Sequence, residues 1–147
     1  MNTSDCILLA VLLAFSAYFS ASETALSTVN KIRLKSYADN GSKKAKIALD
    51  IAENYDRTIS TILVGNNVVN TASAALMTTV TTALFGASGA VIATAVTTVL
   101  VLVFGEILPK TYGKENSEQL ALTIDGSMHF LIVLLTPVVS ICRFLQW

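Results

Sequence analysis

A chain of 147 residues that is 53% hydrophobic and only 14% charged is too apolar for an ordinary soluble domain, in which about 25% of residues carry charge. Its formal net charge of zero gives no electrostatic case for binding nucleic acid. Cys6 and Cys142 stand at opposite ends in apolar surroundings, and with the lone His129 they cannot build a zinc site, so both are expected to be packing residues.

The first apolar run extends from about residue 5 to 29 and is long enough to cross a bilayer with some tilt. A secretory signal would begin with basic residues, and residues 1–5 hold no Lys or Arg. Ser16, Ser20, Glu23 and Ser27 are spaced i, i+4, i+7 and i+11, which puts them on one polar stripe of a helix.

The segment 30–57 is the only strongly polar part of the chain and holds seven of its ten basic residues. Asn40-Gly41-Ser42 is a turn signal between two short amphipathic stretches, which are expected to lie against the membrane surface over about 31–57. Short basic loops stay in the cytoplasm, so the N-terminus is expected outside and this loop inside.

A second crossing is expected over about 58–84. Phe85-Gly86-Ala87-Ser88-Gly89 is an uncharged turn, and a third crossing follows over about 90–108. Pro109 has no backbone N–H, so it is expected to break or kink this helix and to free a carbonyl near Gly105. Tyr112 to Asp125 is polar, and 126–147 is apolar again with Pro137 inside it. That last segment is expected to lie along the cytoplasmic interface, with Arg143 and Trp147 as anchors.

Gly65-Asn66-Asn67-Val68-Val69-Asn70 places three carboxamides in the second apolar run. A carboxamide in hydrocarbon costs several kcal/mol without a partner, so these side chains should face other helices, water or a ligand. Asn66 and Asn70 share a helix face, whereas Asn67 points about 100° away and is expected to hold helices together. Glu106 is an intramembrane acid, a functional candidate by position. Lys110 either reaches the interface or pairs with an acid. Glu23 either joins this group or caps its helix. Ser73, Thr78, Thr79, Thr97 and Thr98 are expected to bond back to their own helices.

These groups fall at similar depth on three helices. Every donor is a hard oxygen, a set that suits Mg2+, Ca2+ or Na+ rather than softer metals. No Ser/His or Asp/Asp pairing stands at credible depth, so the chain is not expected to be an enzyme.

The stretches Ser16–Leu26, Gly65–Asn70 and Gly105-Glu106-Ile107-Leu108-Pro109-Lys110-Thr111 resemble, in this order, the signature segments of the CNNM/CorC family. The resemblance covers essentially the whole chain. It implies an all-α membrane domain of three spanning helices with a cytoplasmic belt of juxtamembrane helices, working as a homodimer in the plasma membrane. It also implies export of Mg2+ coupled to Na+ entry. Carried over position by position, the ligands of a dehydrated Mg2+ would be Ser16, Ser20, Gly65 through its carbonyl, Asn66, Asn70 and Glu106. Glu23, Asn67, Gly105, Pro109 and Lys110 are candidates for a secondary ion or for gating. Family members continue into cytoplasmic CBS domains that bind adenine nucleotide, so this chain is expected to be the membrane domain without them. A membrane domain that binds Mg2+ as a sensor or scaffold, without carrying it across, is the competing expectation.

Overall fold

The computed structural model describes residues 2–145, and Trp147 lies outside them. Among the described residues the chain forms seven α-helices and no strand. Helix α1 (Thr3–Thr28) leads into two short helices, α2 (Lys31–Asp39) and α3 (Lys43–Glu53). Long helix α4 (Tyr55–Phe85) turns through a single 3-10 turn, Gly86–Ser88, into α5 (Gly89–Leu100). A π-helical stretch, Val101–Ile107, joins α5 to α6 (Leu108–Glu115), and α7 (Ser117–Leu145) follows.

Local chemistry sets these boundaries. Asn30 accepts from the N–H groups of Ile32 and Arg33 and so starts α2, and Ser42 accepts from Ala45 and starts α3. Gly41 sits between them at φ +95°, and Gly86 closes α4 at φ +69°, both conformations that side chains with a Cβ rarely adopt. The stretch Tyr55–Glu115 is helical nearly throughout but folds back at Gly86. Thr81 Oγ1 donates to the Gly89 carbonyl at 2.8 Å, and a Cβ on Gly89 would lie 2.5 Å from the Thr82 backbone. The molecule therefore has three long legs, α1, α4 and α5–α6, with a hairpin end at Gly86 and a belt end at α2 and α3.

By length and apolarity, α1, the stretch Tyr55–Glu115 and α7 are each sufficient to cross a membrane. Large apolar side chains face outward along the legs and α7, among them Val91 (75% exposed) and Phe130 (65%), as a hydrocarbon solvent permits. Cys6 and Cys142 are exposed too, so they lie on this outer surface and not in the packed interior. The core gathers toward the belt end, where Leu26, Leu34, Ile51, Ile62 and Met128 bring α1, α2, α3, α4 and α7 together.

Helix α7 starts at Ser117 and not at Gly126, and it continues through Pro137. Asp125 therefore sits inside a helix, buried, and not in a polar loop. Arg33 donates to Glu118 at 3.1 Å, and Arg57 donates to Thr136 at 2.8 Å. These two α7 positions are about 27 Å apart along the helix, yet both meet residues of the belt end. A helix heading for the hairpin end would leave Arg57 far behind, so α7 runs across the bundle. Between those ends, Ser127, Phe130 and Leu131 face Val11, Ala14, Phe15 and Tyr18 of α1 across an apolar groove of about 580 Å³.

The Arg33–Glu118 pair is largely solvent-exposed, and exposed pairs contribute at most about 1 kcal/mol. Arg33→Ala is expected to lower thermal stability slightly at low salt, with the difference vanishing near 1 M NaCl as screening shortens to about 3 Å. An equal deficit at both salt concentrations would show that Arg33 acts through packing.

Gly113 predicts a larger effect. A Cβ there would lie 2.6 Å from the Ala21 carbonyl oxygen, and backbone cannot rotate away. Gly113→Ala should force α6 off α1 and cost about 1–3 kcal/mol in thermal unfolding of the detergent-solubilised chain. Gly126, in α7, has open space around its Cβ position. Gly126→Ala should therefore be neutral or stabilise by about 0.5–1 kcal/mol through helix propensity.

Candidate cation site between three helices

Ser16 is the meeting point of the three legs. Its side chain is fully buried, and its single O–H is shared between Asn70 Oδ1 at 2.8 Å and Asn66 Oδ1 at 3.3 Å. On its other side a Cβ added to Gly105 would fall 2.7 Å from that same Oγ, so the third leg can approach only because residue 105 has no side chain. One turn along α1, Phe19 packs where a Gly65 Cβ would be, 2.5 Å from its ring. Two glycines thus let α4 and the π-helical stretch close on α1 at one level.

That level is the same on each leg. Ser16, Asn66 and Gly105 lie 12, 11 and 10 residues from Thr28, Tyr55 and Glu115, the belt ends of their helices, or about 15–18 Å of helix. Ser20 is one turn nearer the belt, fully buried, and its Oγ has no hydrogen-bond partner among the described residues. Glu106 joins through Asn70, because both line a cleft with Thr97, Thr98, Val101 and Leu102.

The arrangement can exchange partners cheaply. Interhelical hydrogen bonds between side chains in membranes average about 0.6 kcal/mol and reach about 1.7. A cation that draws the Ser16, Asn66 and Asn70 oxygens to itself loses little by breaking them. The Ser16 hydroxyl donates here, so its lone pairs stay available. The donors assigned from the sequence are the Glu106 carboxylate and neutral oxygens, and no cluster of three or more His, Cys, Asp or Glu side chains occurs among the described residues.

Pro109 acts differently from the sequence expectation. The helix does not end there; Pro109 sits in the first turn of α6, and the change of register comes before it, at Val101–Ile107. The Leu108 N–H bonds to the Val103 carbonyl, one residue beyond the α partner. Pro109 has no N–H to give. The Phe104 carbonyl thereby loses both its α donor, Leu108, and its π donor, Pro109, and Gly105 loses its α donor. The Phe104 carbonyl beside Glu106 is therefore left without its α or π donor, whereas Gly105, anticipated from sequence, loses only its α donor. The Gly65 carbonyl belongs to the continuous α4 helix and keeps a second lone pair.

Among the described residues, four other candidates make no hydrogen bond to this cluster. Asn67 is exposed on the outer face of α4, so it does not hold helices of this chain together; its 100° offset carries it past the contact with α1. Glu23 is half-buried and makes no ion pair with the basic loop, and Lys110 is exposed and likewise unpaired; among the described residues the ion pair found is Arg33–Glu118. The stripe on α1 ends its role at Ser20, since Ser27 bonds to the Thr24 carbonyl of its own helix. Pro109 is buried and packs against α1 and α7, in a cleft with Ala17, Ala21 and Ile124.

Of the hydroxyls expected to bond back to their own helices, Ser73, Thr78, Thr79 and Thr98 do so. Thr97 does not, and its buried Oγ1 has no partner among the described residues. No sequence signal separates Thr97 from its neighbour Thr98. Asp125 was also not singled out, because it stands next to Gly126 in a segment that reads as polar.

Comparison with known proteins supplies the remaining finding. The family model described as the cyclin M (CNNM) transmembrane N-terminal domain matches residues 7–146. The chain is 43% identical over 124 residues to the UPF0053 inner membrane protein YfjD of Escherichia coli, covering 84% of this chain and 29% of that protein. It is 38% identical over 133 residues to a UPF0053 protein of Haemophilus influenzae, covering 90% and 32%. A chloroplastic DUF21 domain-containing protein of Arabidopsis thaliana is 34% identical over 140 residues, covering 95% and 21%. The chain thus spans a third or less of the length of these curated relatives.

Proposed function

The chain belongs to the CNNM family of transmembrane domains, and on that footing we propose that it carries Mg2+ out of the cell in exchange for Na+. The observation that carries the proposal is Ser16, buried and bonded to both Asn66 and Asn70 while Gly105 closes on it. Oxygens from α1 and α4 meet there at mid-depth while the third leg closes on them at Gly105, with Ser20 unpartnered one turn away. Mg2+ requires near-octahedral oxygen and dehydrates reluctantly. Ser16, Ser20, Asn66, Asn70, the Gly65 carbonyl and Glu106 are the oxygens assigned to replace its water.

The cargo enters from the belt end, which this reading places in the cytoplasm because seven of the ten basic residues lie between 30 and 57. The N-terminus is then outside, α7 lies in the cytoplasmic interface, and the membrane is the plasma membrane. No covalent step is required, so the protein is a carrier and not an enzyme. It works as a homodimer: Asn67 and Val68, the latter 64% exposed, point out of α4 at membrane depth, and an outward carboxamide there needs a partner that lipid tails cannot supply. Exchange follows if Na+ favours one of two arrangements of the legs and Mg2+ the other, since a ligand shifts an equilibrium only by its differential affinity.

Proteoliposomes holding the chain test this directly. Mg2+ flux is expected, and reversing an imposed Na+ gradient should reverse its direction. Tight Mg2+ binding with no flux under either gradient would favour a sensor or scaffold, and absence of Mg2+ binding would remove both readings.

A further inference from the structure

Arg57, in the first turn of α4, reaches the far part of α7, where its guanidinium donates to Thr136 at 2.8 Å. Arg143 lies two turns further along α7. Both arginines line one cleft of about 720 Å³, together with Glu53 at the end of α3 and Asp56 at the start of α4.

Two positive and two negative side chains thus share this cleft, and none of the four pairs with another; among the described residues the ion pair is Arg33–Glu118. Asp56 and Arg57 are neighbours in the chain, but their side chains leave the helix about 100° apart. Asn54, at the N-cap of α4, makes no capping bond and turns its side chain back to Asp50. A bare anion in the cleft would face two carboxylates, and a bare cation would face two guanidinium groups. A ligand carrying one charge of each sign complements both.

The surroundings indicate what such a ligand is attached to. Phe144 and Leu145 follow Arg143 and are 80% and 77% exposed, and Ile59 lines the cleft itself. Charged side chains next to outward apolar ones at the end of a long apolar helix are the pattern of a membrane interface, where headgroups meet acyl chains.

We propose that this cleft seats the headgroup of an aminophospholipid of the phosphatidylethanolamine class, in the leaflet at the belt end. Its phosphate lies on Arg57 and Arg143, and its ammonium on Glu53 and Asp56. The guanidinium fork matches phosphate geometry, and Arg57 keeps donors beyond the one given to Thr136. A primary ammonium has three N–H donors for the two carboxylates. A lipid held this way ties the end of α7 to the start of α4. The site rests on the membrane placement of the belt end and not on Mg2+ transport.

The test uses the full chain in neutral-detergent micelles without Mg2+, with dioleoyl lipids added at increasing mole fraction and the melting temperature as readout. Phosphatidylethanolamine should raise it by mass action. Phosphatidylcholine, whose quaternary ammonium has no N–H to donate, should need at least about threefold more lipid for the same rise. Arg143→Gln should need about fivefold more phosphatidylethanolamine than the wild type. Arg57→Gln should do the same; if it loosens α7 by losing Thr136, Arg143→Gln carries the comparison alone. Glu53→Gln combined with Asp56→Asn should remove the preference for phosphatidylethanolamine over phosphatidylcholine. Lys44→Gln, at an exposed position of α3 outside the cleft, should match the wild type. The proposal is overturned if the two lipids stabilise the wild type equally, if Arg143→Gln responds as the wild type does, or if Lys44→Gln loses as much. Stronger stabilisation by phosphatidylglycerol would make this a plain anion site and overturn it too. Equal stabilisation by glycerophosphoethanolamine would make the free headgroup the ligand and overturn the lipid assignment. A wild type that fails to bind Mg2+ would sink the transport reading and leave this comparison standing.

Discussion

Glu106→Gln is expected to abolish Mg2+ flux, lowering it by at least about a hundredfold while the chain stays folded. Glu106 supplies the carboxylate among donors that are otherwise neutral, in a region with no acidic cluster among the described residues. Two unit charges 4 Å apart interact by about 4 kcal/mol at an effective dielectric near 20. A divalent ion doubles that, and each 1.4 kcal/mol is a factor of ten. Glutamine keeps the volume and one carbonyl oxygen, so the loss reports on charge and not on packing. The side chain is only half-buried, which is why Gln should be tolerated structurally. Asn70→Ala should be milder, about ten- to a hundredfold, because Ser16 keeps its longer bond to Asn66. Both effects are read as initial Mg2+ flux from proteoliposomes, with size-exclusion elution confirming an intact protein. Wild-type flux from either variant would dismantle the site assignment.

Gly105→Ala should separate binding from folding. The added Cβ would meet Ser16 Oγ at 2.7 Å but Ser16 Cβ only at 3.4 Å. The hydroxyl can rotate away, at the cost of the hydrogen bond it shares between Asn66 and Asn70, worth about 0.6–1.7 kcal/mol. Stability should fall by about that amount. Mg2+ affinity should fall at least about tenfold, because Ser16 no longer points at the asparagines and Ala crowds the approach of the third leg. Adding Ser16→Ala to Gly105→Ala removes the clash, so the double variant should regain stability without regaining affinity, a non-additivity of the kind neighbouring residues show. Calorimetric titration and thermal unfolding give the two quantities separately. Unchanged Mg2+ affinity in Gly105→Ala would mean that Ser16 is a helix contact and not a ligand.

Much of this architecture is legible without coordinates, for local reasons. Apolar length marks the legs, Asn30 and Ser42 cap the short helices, and Gly41 and Gly86 take the positive φ that their turns demand. Spacing places Asn66 with Asn70 and Ser16 with Ser20 on their respective helix faces, because the helical period is a property of the backbone. The sequence bounds leave Gly105 about three residues from the end of the third crossing; only the extension of that leg to Glu115 puts Ser16, Asn66 and Gly105 at one depth.

Periodicity relates residues on one helix but does not say which face meets a neighbour. Asn67 was therefore free to be a helix contact until the packing of α1 on Gly65 turned it outward. The consequence of Pro109 depends on the register of the seven residues before it, which packing against Ser16 and the π-helical ladder decide together. The path of α7 follows from Arg33 and Arg57, which lie in distant segments.

Composition, spacing and the order of its motifs determined that this is an all-α membrane protein whose polar residues are hard-oxygen donors on three helices. Only the tertiary structure decided which donors are free. Thr97 and Thr98 are adjacent and identical, yet one hydroxyl is committed to its own helix and the other is not. Either residue can make the back-bond to the preceding turn, so the local sequence does not distinguish them and the packed structure does.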